Sequence, residues 1–308
     1  MSESPDASRL LPDFLIIGAM KAGTTTIFQD LRLHSRVFIP EDKEPHTLIH
    51  HDVFSPEGRQ VYESLYRRAA PDSVKGDAST GYAKRPFYEG VSSRAKRLMG
   101  DRLRIIYAVR DPIARIVSHH HHLVTYNRAP ASIDEAVRSD PDYVNFSRYA
   151  YQLEPWLRDF GPERVLTVDF HRYTRERQAG AEAIWRFLGL SPPPRRVDAQ
   201  AVYNRSGREG VALGRWASIS QSTVYRKFVR PLLSDTVRES MMRRVLPQAA
   251  PRPRPPRPET VRWLLDELTD DMEAWARSEA APVSWSRDEL QARWMHHTDT
   301  DQAEHEPH

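Results

Sequence analysis

Phe14-Leu15-Ile16-Ile17-Gly18-Ala19-Met20-Lys21-Ala22-Gly23-Thr24-Thr25-Thr26 is the stretch from which the rest of the chain can be read. Residues 14–18 form a short apolar, β-branched run ending at glycine, the pattern of a buried strand. After the threonines, Ile27, Phe28 and Leu31 fall on one face of a helix. Strand, glycine-bearing turn and helix make the opening unit of a nucleotide-binding α/β fold. The free N–H groups at a helix start, with the helix dipole behind them, attract anions. Gly23 lets backbone approach ligand oxygens, Lys21 supplies a point charge, and the threonines add hydroxyl donors. A Walker A loop places its lysine after the second glycine. Here Lys21 precedes Gly23, and no obvious arrangement for Mg²⁺ accompanies it, although Thr24 or Thr25 could serve in principle. A threonine-rich helix cap on an ordinary turn is the plainer alternative.

Further strands are expected at residues 73–79, 103–109 and 164–169. The run Leu103-Arg104-Ile105-Ile106-Tyr107-Ala108-Val109 is almost wholly apolar and therefore central and parallel. It enters Arg110-Asp111-Pro112 and then a helix carrying Ser118. An arginine leaving a strand end and a serine two turns into the next helix can grip one ligand from two sides, and the guanidinium fork suits phosphate. Taken alone, Arg110 fits equally an ion pair with Asp111. Residues 119–122 are four histidines, read as a partly exposed helix beside the ligand with one ring touching it. No carboxylate or cysteine stands at a convincing metal-ligand spacing.

Helices are expected at residues 146–160, 179–188 and 260–276, so strands and helices alternate. That predicts a mostly parallel central sheet covered by helices on both faces. With 308 residues, residues 12–295 read as a single domain after a flexible 1–11. Residues 211–258 form a basic helical and proline-rich insertion, an acceptor-side cover or an exposed linker, and 296–308 a disordered tail.

Hydrophobic residues make up 39% of the chain and charged residues 28%, an ordinary globular balance. A net charge of +3 is too mild to make nucleic acid the partner but fits arginines gathered on one anionic ligand. With no cysteine there is no disulfide or cysteine-zinc site. The polar, acidic start is unlike a secretory leader and the longest nearby apolar run is far too short for a membrane span, so a cytoplasmic location is expected.

The segment FLIIGAMKAGTTTIF resembles the 5′-phosphosulfate loop of sulfotransferases that use 3′-phosphoadenosine-5′-phosphosulfate (PAPS). Arg110 and Ser118 have the spacing at which that family holds the donor's 3′-phosphate. The resemblance implies the sulfotransferase version of the P-loop nucleotide-hydrolase fold, with PAPS as co-substrate, 3′-phosphoadenosine-5′-phosphate (PAP) as product and no metal required. It makes Lys21, Ala22, Gly23, Thr24, Thr25, Thr26, Arg110 and Ser118 donor-binding, with Lys21 also catalytic. Lys43-Glu44-Pro45-His46 resembles the Lys-Glu-x-His segment of the heparan sulfate and related carbohydrate branch, which implies Glu44 as base and Lys43 as its charged neighbour. His46 becomes the base if the chemistry follows the phenol and steroid branch.

The resemblance extends to Asn204, Ser206 and Gly207, similar to the Asn-x-Ser-Gly of bacterial members that covers the adenine and 3′-phosphate, with Arg205 or Arg208 as closing charge. Residues 76–82 resemble a cleft-lining Ser-x-x-Tyr stretch. Tyr149, Leu153 and Trp156 match the family's Tyr-x-x-x-Leu-x-x-Trp helix, read as packing first and acceptor contact second. The implied acceptor is a small molecule or glycan: a hydroxyl, less readily an amine, on a carbohydrate, lipid or secondary metabolite. A P-loop nucleotide kinase, dependent on ATP and Mg²⁺, and a non-catalytic nucleotide-binding protein are the alternatives. Oligomeric state is not encoded in any of these features.

Overall fold

The computed structural model describes residues 10–41, 43–193, 195–198 and 254–303. Phe14–Gly18 forms β1 with every residue buried, and a tight loop leads into α1, Thr24–Leu31. There follow β2 (Val37–Phe38), α2 (Pro56–Ser64), β3 (Val74–Ala78), α3 (Val91–Met99) and β4 (Arg104–Val109). Next come α4 (Pro112–Thr125), α5 (Ile133–Ser139), α6 (Asp142–Asn145), α7 (Tyr149–Phe160), β5 (Val165–Asp169), α8 (Phe170–Arg175) and α9 (Arg177–Phe187). Two further described helices are α10 (Pro258–Ala276) and α11 (Arg287–Ala303).

The five strands make one parallel sheet in the order β2-β3-β1-β4-β5. β1 lies at its centre, Phe14 opposite Gly76 on one side and Arg104 on the other. Covering on both faces explains why β1 and β4 are nearly continuous apolar runs. From β1 the chain moves outward to β2 and β3, then crosses to β4 on the opposite side. Strand order therefore reverses between β1 and β4, and a crevice opens at their carboxyl ends. The loop after β1 and the turn after β4 both enter it.

The main core surrounds β1 and β4, while a second apolar cluster joins Ile113 and Ile116 of α4 to Val137 and Tyr143 and to α10. Val261, Leu264, Leu265, Leu268, Met272 and Trp275 form the buried face of α10. Trp275 Nε1 also donates to the carbonyl of Val283 at 2.8 Å, tying the segment after the helix to its end. No described helix is long and apolar enough to cross a membrane.

The stretch 146–160, read from sequence as one helix, is a turn over 146–148, following α6, and then α7. Ser147 Oγ shares its one proton between the carbonyls of Pro112 and Tyr143 and accepts from Arg115 Nε, tying this turn to α4. Helix α2 escaped the periodicity reading, although Ser55 caps it by accepting from Gly58 N–H at 2.9 Å and Pro56 opens it. Helix α10 likewise starts at Pro258, inside the expected proline-rich linker. Residues 296–303, expected as part of a disordered tail, continue α11, because extending a nucleated helix fixes fewer torsions per hydrogen bond than starting one. Residues 1–9, 199–253 and 304–308, which include most of the expected insertion, lie outside the described residues.

Candidate functional site

Gly23 caps α1 with φ +86°, a left-handed conformation that glycine adopts without penalty. A Cβ on Gly23 would also come within 2.2 Å of the Phe170 ring. Lys21 takes a left-handed conformation too, at φ 67°, turning the chain before the helix. The side chains of Lys21, Thr24, Thr25 and Thr26 line a cleft of about 880 Å³ together with Gly23, a volume suited to a nucleotide-sized ligand. Ala22 departs from the expected ligand-facing group. Its methyl is fully buried and its N–H bonds to Ala19 O at 3.1 Å, because the tight turn uses that amide internally.

Arg110 leaves β4 onto the same cleft, and Ser118 of α4 joins it. Asp111 has partners other than Arg110. It caps α4 by accepting from Ile113 and Ala114 N–H, and its other oxygen accepts from Arg293 at 2.9 Å and Trp294 at 3.2 Å. The Arg110 guanidinium lies 5.2 Å over the Phe170 ring and donates to Lys21 O at 3.4 Å. Tyr149 OH donates to Arg110 O at 2.7 Å, so this buried helix residue buttresses the arginine's backbone. Leu153 and Trp156 are core residues.

Lys43 reaches back across the cleft to the loop. Its Nζ donates to Thr24 Oγ1 at 3.3 Å, Thr25 Oγ1 at 3.2 Å and Glu44 Oε1 at 3.2 Å. Thr80 Oγ1 also donates to Glu44 Oε1, at 3.0 Å, and His46 Nε2 lies 3.2 Å from Glu44 Oε2. Burial alone would raise the Glu44 carboxyl, but the His46 hydrogen bond, the Lys43 charge and Thr80 outweigh it and hold the group down to about 2. Glu44 is therefore ionised throughout the neutral range. Glu44 and Lys43 line the cleft, whereas His46 stands behind Glu44 and does not.

The histidine run is more buried than the sequence suggests. His119, His120 and His121 are inside the protein, and His122 alone of the four lines the cleft. Burial first, then the charge of Arg115, keeps the His119 imidazole neutral down to about 2. Burial, then Lys21, holds His122 at about 4. Among the described residues no group of three or more His, Asp or Glu side chains is gathered to hold a metal.

The structure thus brings Lys21, Gly23, Thr24, Thr25, Thr26, Lys43, Glu44, Arg110 and Ser118 to one cleft. Asn204, Ser206, Gly207, Arg205 and Arg208 lie outside the described residues. Thr80, from the stretch 76–82 that resembles a cleft-lining segment, is also on this cleft, while sequence reading passed over Lys84 and Phe170. Phe170 follows the carboxyl end of β5, where open parallel sheets place ligand contacts. No spacing marks Lys84. Its ammonium is partly buried, 5.7 Å over the Phe146 ring, and burial lowers its pKa.

Residues 11–204 match the sequence pattern described as Sulfotransferase domain. The chain is 28% identical over 200 residues to mouse heparan sulfate glucosamine 3-O-sulfotransferase 3B1, covering 59% of this chain and 47% of that protein. It is 22% identical over 293 residues to human carbohydrate sulfotransferase 15, covering 72% and 52%. The chain spans about half the length of these curated relatives. Among solved structures, a sulfotransferase from Alicyclobacillus acidocaldarius superposes with a TM-score of 0.53 at 27% identity, covering 63% of this chain and 86% of that one. With that pattern spanning well over half its length, on a parallel sheet whose β1 loop and β4 turn share one cleft, the chain belongs to the sulfotransferase family.

Proposed function

We propose that this protein transfers a sulfuryl group from PAPS to an acceptor hydroxyl, with an amine as the less favoured acceptor, and releases PAP. The observation that carries the reading is the convergence of Lys21, Arg110 and Glu44 on one cleft from three separate elements. Lysine and guanidinium nitrogens, threonine hydroxyls and the amides opening α1 are all donors, which suits a ligand built of phosphate and sulfate oxygens. Lys21 and the α1 terminus would hold the 5′-phosphosulfate, and Arg110 with Ser118 the 3′-phosphate.

In this reading the acceptor oxygen attacks sulfur while the bond from sulfur to the bridging phosphate oxygen breaks. The electron pair of that bond stays on the phosphate, where Lys21 neutralises the growing charge. Glu44 takes the acceptor proton. A carboxylate held at about 2 is a weak base, yet the acceptor O–H becomes strongly acidic as its oxygen bonds to sulfur, so a weak base in position suffices. Lys43, shared between Thr24, Thr25 and Glu44, lies between the two charge changes. Relatives named for heparan sulfate glucosamine and for carbohydrate support a sugar hydroxyl as acceptor, with lipids and secondary metabolites as the other classes.

Calorimetric titration with PAP in the absence of Mg²⁺, with ATP and AMP as controls, tests the reading. Metal-independent binding that needs the 3′-phosphate and weakens in Arg110→Ala is expected. Preference for ATP with Mg²⁺ would put the kinase reading in its place.

A further inference from the structure

Asp77, the penultimate residue of β3, has none of its surface exposed, and the mechanism above makes no use of it. Its carboxylate collects three hydroxyl protons. Ser79 Oγ donates to Oδ1 at 2.7 Å, while Tyr82 and Tyr62 donate to Oδ2 at 2.6 and 2.8 Å. A hydroxyl has one proton, so once that is given to a carboxylate the oxygen can only accept from its other neighbours. Ser79 Oγ accepts the His46 N–H at 3.2 Å, and the Tyr82 oxygen accepts the Leu48 N–H at 3.3 Å. The segment held in this way carries the cleft-facing Glu44.

That segment needs holding. Glu44 and His46 both have left-handed backbones, φ 65° and 56°, which non-glycine residues keep only where their surroundings over-determine them. Two more bonds reach the segment from the same strand end: Glu44 N–H to Ala78 O at 3.0 Å, and Thr80 Oγ1 to Glu44 Oε1. Gly81 leaves the space that the His46 ring fills, since a Cβ there would come 2.6 Å from Nδ1.

We propose that Asp77 is a positioning residue for the reaction: by taking the protons of Ser79 and Tyr82 it fixes the polarity of the hydroxyl bridges to His46 and Leu48, and so aims Glu44 into the cleft. The functional half of this inference rests on Glu44 as base; the structural half does not.

Asp77→Asn keeps the shape and reverses the polarity. In either amide orientation a donor NH₂ faces Ser79 or the two tyrosines, and hydroxyls on that side must turn round. Ser79→Ala and Tyr82→Phe each cut one bridge. Tyr66→Phe is the comparison, because Tyr66 belongs to the same buried cluster, donates to Gly76 O at 3.4 Å and has no bond to the 44–48 segment.

The readout is the titration of the Glu44 carboxyl by ¹³C NMR, assigned with Glu44→Gln. In Asp77→Asn, Ser79→Ala and Tyr82→Phe it is expected to rise by about 1 or more from its value near 2 as the His46 and Thr80 bonds loosen. Calorimetric PAP affinity is expected to stay within about twofold, and Tyr66→Phe to leave Glu44 unmoved. Losing a neighbouring negative charge would by itself push Glu44 down, so an upward move reports lost geometry. An unmoved Glu44 in Asp77→Asn and Ser79→Ala, or an equal move in Tyr66→Phe, overturns the proposal. If Asp77→Asn does not fold, the two bridge variants decide the matter alone. Should the base assignment itself be wrong, Glu44→Gln keeps turnover while the NMR result stands, so the two failures are separable.

Discussion

The ring of Phe170 lies against the backbone of Gly23, leaving no room for a side chain: a Cβ would come 2.2 Å from ring Cδ2 and 2.4 Å from Cε2. The same ring carries the Arg110 guanidinium at 5.2 Å. One aromatic residue at the start of α8 therefore joins the loop after β1 to the turn after β4.

Gly23→Ala meets that ring and must also adopt φ +86°, which costs an L-residue about 1–2 kcal/mol before any clash. The expected result is a lower Tm together with PAP affinity reduced by a factor of roughly 10 or more, since about 1.4 kcal/mol of lost binding is tenfold. Calorimetry and thermal denaturation on one preparation check it. Unchanged affinity would mean that the loop backbone does not hold the donor.

Lys21→Ala and Glu44→Gln should separate binding from chemistry. Both are expected to lower turnover by about 100-fold or more, the usual scale for lost charge stabilisation or base catalysis. Only Lys21→Ala should also weaken PAP, because Lys21 belongs to the loop that would hold the donor phosphates, whereas Glu44 is an anion with no attraction for them. Full turnover in Glu44→Gln would remove Glu44 from the base role. A turnover profile that falls near pH 4 would implicate His122 instead, because Glu44 stays ionised down to about 2.

Acid should destabilise the fold through the buried His119 and the half-buried His122. His119 is held at about 2 and His122 at about 4, against 6.5 in the unfolded chain. Below about 6.5 the unfolded state then binds more protons than the folded state, so unfolding takes up protons and stability falls as pH drops. For His119 the ceiling is about 1.4 kcal/mol per pH unit. Glu44 acts in the same direction at lower pH: held at about 2 against 4.5, it stabilises above about 4.5, and that contribution is lost as pH falls towards 2. His119→Asn is expected to flatten the decline between pH 6.5 and 4.5, whatever it costs at pH 8. Urea midpoints across that range measure it, and an identical slope in the variant would show that His119 is not held neutral.

The linear chain carried the parallel sheet and the loops that meet at the cleft because both are local. An apolar run such as 14–17 or 105–109 reports two-sided burial wherever it lies, and a glycine turn feeding a helix makes an anion site from adjacent residues alone. Lys21 and the threonines were legible for that reason, Arg110 and Ser118 through the spacing of the family they resemble, and the alternation of strands and helices gave a mostly parallel sheet but not the order of its strands. Contacts made across the sequence were not legible. Nothing near Lys43 says that its amine reaches Thr24 and Thr25, and nothing in the histidine run says that three rings turn inward and one meets the cleft. Asp77 looks like an ordinary polar residue in a strand until the fold surrounds it with Ser79, Tyr62 and Tyr82. The identity of a local ligand loop is written in consecutive residues, whereas the state and aim of Glu44 come from groups that only tertiary packing brings together and seals from water.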